Sequence, residues 1–179
     1  MIRDRLIALL KTYIPETGEE EQMHRETIAF VKENPECFER TLLIGHVTAS
    51  GWVLSANKNE VLLMHHRKLD RWFQPGGHCD GDPDVEAVAR KEVWEETGIQ
   101  HLELLKRSIY DIDVHLIPAN NDIPAHHHYD IRFVFQMIDE QTILINSESR
   151  DVRWIPLAEV HHFHDSESIM RMVRKTSAL

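Results

Sequence analysis

Glu92, Glu95 and Glu96 fall on one short segment whose two ends both carry helix signals, and no other feature constrains the chain as much. Asp82 is the expected N-cap, Pro83 the first helical residue and Gly98 the residue just past the last turn, which predicts a helix over 83–97. Val85, Val88, Ala89 and Val93 give it an apolar side and turn the glutamates toward a cleft. Residues three and four apart are neighbours on a helix, so Glu92 meets both Glu95 and Glu96. Like charges there cost roughly 0.2–0.5 kcal/mol per pair, and they also oppose the helix dipole. A divalent cation reverses the sign: hard oxygen ligands suit Mg²⁺, with Mn²⁺ as a substitute. The alternative is a solvated acidic helix end.

The run from Gly77 to Ile99 resembles the signature box of the Nudix hydrolases. That box reads Gly, five residues, Glu, seven residues, Arg-Glu, an aliphatic residue, any residue, Glu-Glu, any residue, Gly and an aliphatic residue. Gly77, Glu92, Val93, Glu95, Glu96, Gly98 and Ile99 match it. Two positions depart, Pro83 for the first Glu and Lys91 for the Arg. Lysine lacks the planar fork that holds a carboxylate at two points, which leaves Arg90 or Glu86 to share the bracing. Leu62-Leu63, Arg67, Trp72 and Pro75-Gly76-Gly77 also look like the usual approach to the box. The likeness spans residues 46 to about 160.

This resemblance implies an α/β fold, a mixed β-sheet sandwiched between helices. It also implies attack of water on phosphorus in a nucleoside diphosphate linked to another group, a phosphoanhydride cleavage by a nucleotide pyrophosphohydrolase. Glu92, Glu95 and Glu96 would hold Mg²⁺, the Gly77 backbone would help to ligate it, and a box glutamate or Glu148 would accept the proton. Glu148 resembles the extra carboxylate of the loop before the family's last Trp and Pro; Asp139 and Glu140 are its competitors. Arg67 and Arg132 are candidates for the pyrophosphate, Trp52, Trp72 and Phe73 for stacking on a base, and His78 for substrate or water positioning. Two other readings stay open. One is a catalytically weakened Nudix-fold nucleotide-binding or regulatory protein. The other is an isoprenoid diphosphate isomerase, which needs a cysteine and a glutamate across the cleft.

The 179 residues, 42% of them hydrophobic, bury one sizeable core, and the expected organisation is an N-terminal helical extension over 1–40 followed by a Nudix domain over 41–179. A net charge of −10 argues against capture of extended nucleic acid or an anionic membrane, since both need clustered Lys and Arg. No apolar run reaches ~18 residues and no signal-peptide core follows the first residues, so a cytoplasmic protein is expected. Cys37 and Cys79 are expected to be free thiols, with Cys79 a weak candidate nucleophile.

Helical spacing is expected over 2–13 and 20–34, as a cleft cap, a homodimer contact or a helical pair stabilising the sheet. Strand formers over 42–54 and 60–64 around Asn57-Lys58-Asn59 predict a hairpin. Further strands are expected over 102–116 and 129–138, and a final amphipathic helix carries Ile169, Met170 and Val173. The thirteen histidines include His126-His127-His128. Neighbours on a strand point to opposite faces, so that triplet converges on one ion only from a loop. His78, His115 and His128 are the best candidates for an imidazole metal site.

Overall fold

The stretch Gly45–Leu54 forms strand β1 and is buried along its whole length, as expected of small and apolar residues covered on both faces. The computed structural model describes residues 2–179. Helices α1 (Asp4–Thr12) and α2 (Gly18–Glu33) precede β1; β2 (Glu60–His66), β3 (Arg71–Phe73) and β4 (Gly76–His78) follow it. Next come α3 (Val85–Thr97), β5 (Leu102–Leu104), β6 (Asp111–Ile117), β7 (His126–Met137) and β8 (Ser149–Pro156), then a 3-10 turn at Leu157–His162 and α4 (Glu167–Thr176). This is the expected mixed β-sheet with helices. Among the described residues no helix is long and apolar enough to cross a membrane.

Two compact units emerge, with β1, α3 and β7 each running through both. The first comprises residues up to Ser50, Gly77–Ala89 and Lys106–Phe133. Here β6 and β7 pair antiparallel, with Val114 opposite Tyr129 and His115 opposite His128. The N-terminal helices pack against this pair: Phe30 stacks on Tyr129 with ring centres 4.0 Å apart, and the Val114 amide donates to the Met23 sulfur at 3.3 Å. Of the roles expected for these helices, support of the sheet is thus the one with contacts behind it. Thr17 caps α2 by accepting from the Glu20 amide, the usual hydroxyl cap.

The second unit comprises Gly51–Gly76, Arg90–Leu105 and Val134–Leu179. Strand β8 runs antiparallel along β2 from Glu60–Pro156 to His66–Ser149. The other side of β2 takes β1 at Leu54–Val61 and β3 at Met64–Phe73. The C-terminal part of α3 lies directly on these strands. A Cβ at Gly51 would come within 2.5 Å of Val93 Cγ2 and 3.1 Å of the Phe135 ring, so glycine lets the acidic helix approach its strands.

Several expected boundaries move. The box helix begins at Val85: Asp84 is its cap, accepting from the Ala87 amide at 3.3 Å, while Asp82 accepts from the Asp84 amide. Pro83 therefore precedes the helix. The strand expected over 102–116 is two, with exposed Lys106 and Arg107 in the segment between them. Strand β7 starts at His126, so the histidine triplet is extended rather than looped. On α4 the buried apolar residues are Ile169 and Met172, with Met170 and Val173 only half-buried.

Candidate active site

In the second unit the three box glutamates occupy graded environments: Glu95 is exposed, Glu92 half-buried and Glu96 only 7% exposed. The Gly76 amide donates to Glu96 Oε2 at 2.8 Å, which ties the glycine loop to the helix. Burial pushes the Glu96 carboxyl up to about 8, and the charges of Glu92, Glu148 and Glu95 push it the same way against the opposing Gly76 amide. Glu148 thus joins the box glutamates in space although it lies far along the chain. Asp139 instead pairs with His101 at 2.9 Å.

Lys91 Nζ reaches Glu95 Oε2 at 3.5 Å, one turn along the exposed face of α3. This is the contact available to a residue standing where the box has arginine, and it is a single-point one. Arg90 donates to the Leu102 carbonyl at 2.8 Å and lies over the Phe135 ring.

A pocket of about 290 Å³ is lined by His66, Arg67, Lys68, Ser147 and Glu148, near the lower limit for small-molecule sites. Arg67 Nε and Nη2 donate to the carbonyls of Ser147 and Ser149 at 3.1 and 3.0 Å. These bonds hold the Glu148 loop against the end of β2. Trp72 is half-buried, stacked on His65 at 5.1 Å with Arg153 5.6 Å from its ring centre. Trp52 belongs to the core instead: it is fully buried and its Nε1 donates to Thr176 Oγ1 at 2.9 Å.

Other candidates lie in the first unit. Arg132 is 4% exposed and ion-paired with Asp130 at 2.8 Å, Asp111 at 3.1 Å and Asp113 at 3.3 Å. Burial alone would lower its pKa, but the three aspartates outweigh that and raise it. Its guanidinium is thus engaged by three protein carboxylates. Cys79 is buried, and burial raises its thiol pKa, which disfavours the thiolate form. Gly77 sits in β4 between Gly76 and His78.

His78 is gathered with His46 and His128, their ligand nitrogens all within 4.8 Å of one another. Burial lowers the pKa of all three, that of His46 to about 4 and that of His128 to about 2. This favours the neutral imidazoles, which fits ligation of a metal better than contact with phosphate. His78 and His128 were legible as candidates. His46 was missed, because no spacing in the sequence says that the start of β1 faces the start of β7. His115 is held by Asp113 at 2.9 Å, its ring 5.5 Å from His128.

The model of the NUDIX domain matches residues 45–174. Phosphatase NudJ of Escherichia coli K12 is 28% identical over 118 residues, which cover 64% of this chain and 71% of that protein. Among solved structures, the Ap4A hydrolase of C. elegans in a binary complex superposes with a TM-score of 0.61 at 18% identity, over 74% of this chain and 95% of the other. The NUDIX domain of Shewanella oneidensis NrtR complexed with ADP ribose gives 0.56 at 17% identity, over 84% and 96%. These likenesses carry the fold, and the domain match carries the family. With its glutamates clustered on α3 behind the glycine loop, the chain belongs to the NUDIX domain family and is a Nudix hydrolase.

Proposed function

We propose that this protein is a Mg²⁺-dependent hydrolase that cleaves the phosphoanhydride bond of a nucleoside diphosphate linked to another group. The observation that carries the reading is the convergence of Glu92, Glu95 and Glu148 on buried Glu96, whose carboxyl is driven toward protonation by burial and by its neighbours. Such a donor set fits a hard divalent cation, because the ion repays the desolvation and the mutual repulsion. Glu92, Glu95 and Glu96 would hold Mg²⁺ or its substitute Mn²⁺. When bound, the metal neutralises charge on the phosphates and acidifies the attacking water.

Glu148 accepts the proton of that water as its oxygen bonds to phosphorus and the P–O bond of the anhydride breaks. Arg67 would contact a phosphate oxygen at the pocket shared with Glu148. Trp72 is the candidate to stack a base. The ligand class is supported by the Ap4A hydrolase and by the ADP-ribose-bound domain among the structural neighbours. Residues 1–40 form the proposed extension and 41–179 the catalytic domain. A cytoplasmic setting, with buried unpaired Cys37 and Cys79, completes the reading.

The experiment is hydrolysis of a panel of ADP-ribose, dinucleoside polyphosphates and nucleotide sugars, with Mg²⁺ and with chelator, and with the products identified. Turnover that needs the metal and yields a nucleoside phosphate supports the proposal. A folded protein that binds members of the panel without cleaving them would return the chain to the weakened, binding-only alternative.

A further inference from the structure

We propose that His46, His78 and His128 form a second metal site, separate in chemistry from the carboxylates, that takes a late first-row divalent cation, with Zn²⁺ as its ordinary occupant. The three residues come from β1, β4 and β7, so strands rather than a mobile loop position them. Their ligand nitrogens lie within 4.8 Å of one another, and the His46 and His128 Nε2 atoms are 3.1 Å apart. With Zn–N bonds of about 2.0–2.1 Å, two ligands of a tetrahedral site stand about 3.3 Å apart. One edge of the site is therefore already at length, and rotation of the half-buried His78 closes the others.

The surroundings suit ligation. His126 Nδ1 faces the Pro124 carbonyl at 2.9 Å, which fixes the proton there and leaves Nε2 as a lone pair; its ring is 5.0 Å from His46 and 5.2 Å from His128. His115, held by Asp113 at 2.9 Å, lies outside the three ligands with its ring 5.5 Å from that of His128. Imidazole donors select Zn²⁺, Cu²⁺ or Ni²⁺ over Mg²⁺. This set therefore discriminates against the cation that the glutamates prefer. Three protein ligands leave a fourth position for water or an anion.

The test is Zn²⁺ binding by the full chain, measured in competition with a chromogenic chelator at millimolar Mg²⁺ so that the carboxylates are occupied. One Zn²⁺ per chain is expected. His46→Gln and His128→Gln should each weaken binding by at least ~10²-fold, the upper end of what losing a supporting partner costs. His127→Gln, exposed on the other face of β7, and the exposed pair His161→Gln/His162→Gln should leave it unchanged. Co²⁺ should give the intense visible bands of a tetrahedral nitrogen site. Equal Zn²⁺ affinity in wild type and in the His46 or His128 variants would overturn the proposal, as would loss of binding in Glu96→Gln instead. If both variants fail to fold, the wild-type Co²⁺ spectrum decides: weak octahedral bands overturn the site.

Discussion

Around Arg132, Asp111, Asp113 and Asp130 are gathered about a guanidinium with almost no exposure, and Thr48 and Ser50 add hydrogen bonds to Asp130. Around Glu96, Glu92, Glu95 and Glu148 are gathered about another carboxyl. The first cluster carries its countercharge inside the chain and is therefore architecture. In the second, Lys91 reaches Glu95, but both are exposed, and such pairs contribute about 0.3–0.5 kcal/mol. The first cluster is gathered about a cation and the second about a carboxyl, and this difference in what stands at the centre underlies the proposal of a cation site on α3.

The comparison breaks most readily at Arg132. Arg132→Met should cost about 3–5 kcal/mol of stability, because it strands three aspartates without their cation. Urea or thermal unfolding checks this, and a loss below ~1 kcal/mol would mean that the aspartates do not depend on the arginine.

Glu96→Gln should do the reverse, lowering Mg²⁺-dependent turnover by at least ~10²-fold, a barrier increase of ~2.7 kcal/mol, while the protein stays folded. Wild-type turnover in the folded variant would remove Glu96 from the metal site.

Stability should also depend on pH and metal through the same residue. Without metal, folded Glu96 keeps its proton up to about 8 whereas the unfolded chain loses it near 4.5. The folded state then binds more protons across that window, so this carboxyl makes stability fall as pH rises through it. His46 acts with opposite sign: its folded pKa is about 4 against 6.5 unfolded, so its contribution is lost as pH falls through that range. The quantity to measure is thus the difference in melting temperature between wild type and Glu96→Gln from pH 5 to 8. Wild type should lose ground as pH rises in chelator and recover it in Mg²⁺, by mass action on the folded state. A difference that ignores both pH and Mg²⁺ would count against a preformed cation site.

The smallest effect is expected at Lys91. Lys91→Arg should keep or raise activity and Lys91→Ala should lower it, with stability changed by no more than ~0.5 kcal/mol. Full activity in Lys91→Ala would show that Glu95 needs no brace.

What could be read along the chain was local. The helix with its buried Val85, Val88, Ala89 and Val93, the Gly98 stop and the hairpin around Asn57 follow from 3.6- and 2-residue periods and from turn chemistry, which act over a few residues. The cap lies at Asp84 and the helix starts at Val85 because two aspartates flank Pro83 and either can cap. Glu92, Glu95 and Glu96 were visible as a donor set because one helical turn joins them.

Tertiary structure decided the partners that lie far apart in sequence. Arg132 and Arg67 are both pyrophosphate candidates in the sequence, yet one is enclosed by aspartates and the other borders a pocket. Trp52 and Trp72 divide in the same way between core and half-exposed stack. His46 meets His128 across 82 positions, a juxtaposition set by how strands assemble. Periodicity tells which face of a strand a side chain occupies; only the assembled sheet tells what that face meets.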